Sequence, residues 1–210
     1  MPIFKYYNNK LFIISINRRY RLLGDFMNKN KKWSTHDIMI TAMLSIALGV
    51  LYIPLTYFAG WSTNFPFLDI YLTGTYYFPI VMVGYLIRKK GSALFAAVII
   101  FLIQIPFTPY GVLMLYFALL LGLPIEIMFI IKKYNNLKLW YIMLIGGIVG
   151  ILGSINRYFV IGLGVVSIPL LIYYFTISFV CGSIWGGALA KFLSDKILKT
   201  GVLHKNWEEE

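Results

Sequence analysis

The chain has 210 residues, 60% of them hydrophobic, 18% aromatic and only 13% charged, against about a quarter charged in an ordinary soluble domain. Its apolar residues come in blocks too long for strands or surface helices, which makes it one membrane domain with no room for a nucleotide-binding domain. The net charge of +11 does not point to nucleic acid, because Lys and Arg cluster between the apolar blocks, where they set topology.

The first 32 residues form a basic segment. Its apolar run Leu11 to Ile16 is too short to span a bilayer, and it has no cleavable-signal pattern. Met27 opens a Lys/Asn stretch and is the expected true start, with residues 1–26 an over-called extension. The alternative is a basic arm lying on the anionic inner leaflet.

Six apolar segments follow: Asp37 to Ala59, Phe67 to Ile87, Ser92 to Thr108, Val112 to Ile131, Leu139 to Asn156, and Ile168 to Ala190. Each approaches the ~20 residues needed to cross ~30 Å of hydrocarbon. Of the 19 Lys and Arg, 18 lie before the first segment, in the second and fourth connections or in the tail. Only Arg157 falls on the opposite side. By the positive-inside rule this is an all-α integral membrane bundle of six transmembrane helices with both termini cytoplasmic. The bundle occupies residues 33–203, and 204–210 are a tail.

The opposite connections carry aromatics and turn formers, densest in Gly60 to Asp69, which includes Trp61. Such a stretch either belongs to the interfacial aromatic belt or covers a binding site. Polar groups inside spans are costly and retained for a reason. Here they are Glu126, Gln104, Asn156 and Arg157, with Asp69 at the start of the second segment. Glu126 is either an acid snorkelling toward Lys132 and Lys133, or an inward carboxylate facing a cationic ligand or a polar network. Thr41, Ser45 and Gly49, with Ala42 beside them, form a small-residue strip on the first helix. The strip would admit a close neighbour, either within the chain or on another subunit. Gly146, Gly147, Gly150 and Gly153, and Gly182, Gly186 and Ala190, form two more.

Catalytic and nucleotide motifs (HExxH, GxSxG, Walker A) do not occur in the sequence. The lone Cys181 has no Cys or His partner at metal-ligand spacing. The expectation is therefore not an enzyme, with no cofactor and no metal, but binding or transport with an external energy source.

Trp33-Ser-Thr-His-Asp37, Arg88-Lys-Lys-Gly91-Ser-Ala-Leu94, Gly122-Leu-Pro-Ile-Glu126-Ile-Met-Phe129 and Phe179-Val-Cys-Gly182-Ser-Ile-Trp-Gly186 stand in order along residues 32–203. Together they resemble the YkoE-type substrate-binding (S) components of energy-coupling factor (ECF) transporters, associated with thiamine or its hydroxymethylpyrimidine precursor. The resemblance implies a vitamin taken up from outside, and as partners a transmembrane coupling protein and two ATPase subunits. It gives the Thr41, Ala42, Ser45 and Gly49 strip a docking role, and puts Glu126 at the family's helix-four acid. Two features depart from the family pattern. Ala96 or Ala97, and Gln104, stand where acids are expected on helix three, and Lys90 replaces a proline. This weakens the case for a cationic ligand and leaves a neutral pyrimidine or another flat vitamin precursor open. The expected ligand set is Glu126, Gln104, Trp61, Asp69, Tyr76, Tyr77, Tyr110 and Asn156. The rivals are a structural or assembly membrane protein and a self-sufficient secondary transporter. The latter is disfavoured by the scarcity of intramembrane ionisable groups.

Overall fold

Apolar runs punctuated by proline and glycine give helices of unequal length in the computed structural model of the chain, which describes residues 33–62, 70–108, 110–135, 137–161 and 168–199. The helices belong to the unit Thr35–Glu210. The segments 1–32 and 204–210 expected at the ends, and residues 63–69, lie outside the described residues.

Six principal helices and no strand occur among the described residues. They are α1 (Thr35–Ser62), α2 (Phe78–Ile87), α3 (Ser92–Gln104), α4 (Leu113–Ile131), α5 (Leu139–Ile161) and α6 (Ile168–Lys199). Four contain apolar runs long enough to cross a membrane: Thr35–Phe58, Leu113–Ile131, Leu139–Phe159 and Ile168–Lys199.

The second segment departs from expectation. Its α-helix has ten residues, about 15 Å of rise, and is preceded by a 3-10 turn at Thr73–Tyr76. The reason is burial. Phe78 through Leu86 are all buried, with α1, α3, α4 and α6 packed around them, so α2 is a central post rather than a lipid-facing span. Irregular backbone at its entrance is tolerated because protein encloses it; Thr73 and Gly74 are buried. The third segment likewise ends in a 3-10 turn, Ile105–Phe107, which contains Pro106. α5 runs on to Ile161, which puts Arg157 on a helix rather than in a connection.

The α5–α6 contact is made through glycine. A Cβ on Gly146 would lie 2.3 Å from the Gly182 carbonyl oxygen, so only a bare backbone permits this approach. Residues Gly182–Leu189 of α6 are π-helical. Tyr77 fills the hollow between the two helices, and its hydroxyl donates to the Gly146 carbonyl at 2.7 Å.

The strip on α1 is also buried inside the chain. Thr41 and Ser45 are fully buried, and their hydroxyls donate to the carbonyls of Asp37 and Thr41, both at 2.6 Å. A Cβ on Gly49 would meet Ile103 and Ile100 of α3 at 3.2 and 3.4 Å. Ala42 is half-buried at the edge of this contact. The face of α1 left open carries Met39, Met43, Ile46 and Val50.

Candidate functional site

Hydrogen-bonding side chains collect at the two ends of the bundle, in two different chemistries. One end carries the basic connections. There Arg88 takes a left-handed conformation with φ 52°, closing α2, and Gly91 at φ 88° opens α3. Glycine as N-cap has no side chain for the orphan N–H groups of the first turn. Glu126, buried on α4 at 4% exposure, supplies the acceptor instead. Its carboxylate takes the N–H groups of Gly91 at 2.6 Å, Ala93 at 3.0 Å and Leu94 at 3.4 Å. The Tyr134 hydroxyl completes the set at 2.5 Å. A negative charge at a helix N-terminus also complements the macrodipole. Burial, and then the bond to Glu126, pushes the Tyr134 phenol well above its ordinary pKa, so it remains a donor.

Lys89 of the same connection pairs with Asp37 at the start of α1. Asp195 on α6 accepts from the Tyr85 hydroxyl at 2.7 Å and from Lys191 at 2.6 Å. These bonds tie α1, α2, α3, α4 and α6 together at the basic end. The carboxylates of the described residues, Asp37, Glu126 and Asp195, are all engaged there.

The opposite, aromatic end carries amides and rings. Gln104, 3% exposed at the end of α3, accepts a hydrogen bond from Thr56 of α1 at 2.9 Å. Asn156 on α5 accepts from the Tyr116 hydroxyl of α4 at 2.8 Å. The Tyr116 ring stands edge-on to Phe117 at 5.6 Å, and Phe117 meets Tyr110 in the same way at 6.1 Å. Next to Asn156, the Arg157 guanidinium lies 5.2 Å from the ring centre of Tyr76.

Of the expected ligand set, Gln104, Tyr76, Tyr110 and Asn156 therefore share the aromatic end. Glu126 is at the other end, capping α3, and Tyr77 is a packing residue between α5 and α6. The Trp61 side chain and Asp69 lie outside the described residues. Two residues at the aromatic end fall outside the expected ligand set. Arg157, at the outer end of the fifth segment, reaches Tyr76. Thr108 has a buried hydroxyl with no protein hydrogen-bond partner among the described residues, and a lone threonine at a segment end carries no signal in sequence.

Residues 36–152 match the family described as the permease component of the ABC-type cobalt transport system. The chain belongs to that family. It is also similar to YkoE of Bacillus subtilis (strain 168), whose name assigns it provisionally as an HMP/thiamine permease. That likeness is 29% identity over 179 residues, 83% of this chain and 89% of the relative. Among solved structures, a crystal structure of an S component of an ECF transporter superposes with a TM-score of 0.76. It is 27% identical and covers 82% of this chain and 89% of its own. The chain is accordingly a membrane transport component of the ECF S-component type, and not an enzyme. The family description mentions cobalt, but among the described residues no three His, Cys, Asp or Glu side chains come together as a metal site.

Proposed function

We propose that this S component captures a flat pyrimidine-type vitamin, hydroxymethylpyrimidine or thiamine, at its aromatic end and delivers it inward. The energy comes from ATP hydrolysed by two ATPase subunits through a transmembrane coupling protein. In this reading all six helices lie in the membrane, the basic end and both termini face the cytoplasm, and the aromatic end faces outward. The observation that carries the reading is the segregation of chemistry between the ends. The buried amides of Gln104 and Asn156, with the half-buried ring of Tyr76 and the exposed ring of Tyr110, occupy one end, while the described carboxylates are engaged at the other. A few placed polar groups among aromatic walls suit an aminopyrimidine ring. The relative's printed association with HMP and thiamine supports the same class.

Thr41 and Ser45 are buried and Gly49 packs on α3, so a coupling protein that meets α1 does so on the open face of Met39, Met43, Ile46 and Val50, with Ala42 at its edge. The test of ligand class is equilibrium binding of labelled hydroxymethylpyrimidine and thiamine to the detergent-purified full chain. Saturable binding of at least one is expected. Binding of neither, by protein that is folded, would return the chain to the structural or assembly role or to another vitamin precursor.

A further inference from the structure

We infer that the turn joining α4 to α5 binds the headgroup of an anionic phospholipid through Lys132, Lys133 and Lys138, with Trp140 beside them. The inference rests on the membrane placement of the chain and not on the class of its transported ligand. The seven residues Lys132 to Lys138 contain three lysines and no acid. Lysines at a helix end ordinarily mark topology and complement the helix dipole, and a loose loop serves that role as well as an ordered one. This turn is instead fixed from inside. Lys133 and Tyr134 are consecutive non-glycine residues in the left-handed region, with φ of 48° and 56°. Such a conformation is kept only where the surroundings impose it. Here they do so through Tyr134, whose hydroxyl donates to Glu126 and whose ring stacks on Phe129 with centroids 5.4 Å apart. Leu137 is buried as a second anchor. Held in this way, the turn leaves Lys132, Lys133 and Lys138 exposed.

Aromatic and apolar side chains complete the surface. The Lys132 ammonium lies 5.3 Å from the ring centre of Tyr141 and 6.0 Å from that of Trp140, both in the first turn of α5. The Tyr141 hydroxyl donates to the Met128 carbonyl at 2.6 Å, which ties its ring to α4. Lys132 is thereby seated over the start of α5. Ile131, Leu139 and Trp140, which flank the lysines in the chain, are all exposed. Cations flanked by lipid-facing apolar groups match an anionic phospholipid, whose phosphate and acyl chains stand in the same order. Tryptophan at that boundary sits at headgroup level, and basic sites between transmembrane helices bind anionic headgroups. A soluble phosphate would use the lysines and leave their apolar neighbours idle. A zwitterionic lipid would bring its own cation against them.

The experiment is native mass spectrometry of the full chain, titrated in neutral detergent with an equimolar mixture of phosphatidylglycerol and phosphatidylcholine. The wild type should retain phosphatidylglycerol selectively. Each lysine near an anionic surface strengthens binding roughly fivefold, so Lys132→Gln with Lys133→Gln should weaken retention about tenfold or more. Lys196→Gln with Lys199→Gln removes as much exposed charge from the end of α6 and should leave retention unchanged. Equal retention of the two lipids overturns the inference. So does equal loss in the two double variants, which would reduce the effect to total charge. Displacement of phosphatidylglycerol by free glycerol phosphate at matching concentration also overturns it, in favour of a soluble anion. Should the variants not fold, acetylation of the wild-type lysines decides. Phosphatidylglycerol should protect Lys132, Lys133 and Lys138 more than Lys196 and Lys199, and equal protection overturns the inference. Protection of the turn by the coupling protein and not by the lipid would make it a protein contact instead.

Discussion

The carboxylate of Glu126 lies 2.6 Å from the backbone nitrogen of Gly91, 35 positions away in the chain. A helix whose N-cap is glycine is thus capped from another helix. An acid buried in the membrane domain is retained here because backbone donors at a helix start would otherwise be unsatisfied. Replacing it with Gln removes the charge and leaves one acceptor oxygen. Glu126→Gln should destabilise the fold by about 1–3 kcal/mol, measured by denaturant or thermal unfolding in detergent. Ligand affinity of the folded fraction should be unchanged. Lower affinity at unchanged stability would instead place the carboxylate in the ligand site.

On α1 the expected effect is also structural. Ser45 is fully buried, and a larger side chain there overpacks the interior face of α1. Ser45→Leu should cost about 1–3 kcal/mol of stability. Met43→Glu, on the open face of α1, should leave ligand binding intact and weaken association with a coupling protein. Pull-down of the coupling protein and a melting curve, run on both variants, distinguish the two faces.

The Tyr77 post offers a paired test. Tyr77→Phe removes the hydroxyl that meets the Gly146 carbonyl and should cost about 0.5–1.5 kcal/mol. Gly186→Ala places a methyl 2.2 Å from Cε2 of Tyr77 and should destabilise the protein more than the lost hydroxyl does. The two unfolding midpoints, compared with the wild type, check the order. The reverse order would mean that α6 yields more easily than the glycine contact implies.

At the aromatic end, Gln104→Leu gives up a single side-chain bond to Thr56. Interhelical hydrogen bonds in membranes average ~0.6 kcal/mol, so the melting temperature should move little. Affinity for hydroxymethylpyrimidine should fall roughly tenfold, the equivalent of one good hydrogen bond at ~1.4 kcal/mol. Equilibrium binding on the purified variant measures it. An unchanged affinity would confine Gln104 to joining α1 and α3.

The segregation of Lys and Arg from the aromatics was legible in sequence because membrane topology is written in loop charge, and the ends of α4 and the starts of α3, α5 and α6 follow the apolar boundaries closely. The shortness of α2 was not legible. Its residues are as apolar as those of a lipid-facing span, and only the surrounding helices make it a buried post. Small residues at Thr41, Ser45 and Gly49 announce a close approach but do not say to whom; Gly49 meets α3, and Thr41 and Ser45 are buried within the chain. The role of Glu126 depends on Gly91 and Tyr134, neither of which marks itself as a partner in a single sequence. Arg157 was visible as the one basic residue on the wrong side. Its placement on Tyr76 required knowing that α5 continues past it and that a 3-10 turn presents the ring.

The central claim, ATP-driven capture of a pyrimidine-type vitamin, is tested most directly by uptake. Labelled hydroxymethylpyrimidine is supplied to cells lacking their own uptake route that express the chain alone or with a coupling protein and two ATPase subunits. Accumulation is expected only when the energising subunits are present and their ATPase sites are intact. Accumulation by the chain alone, or none with the complete set when the chain binds the ligand in detergent, would contradict it.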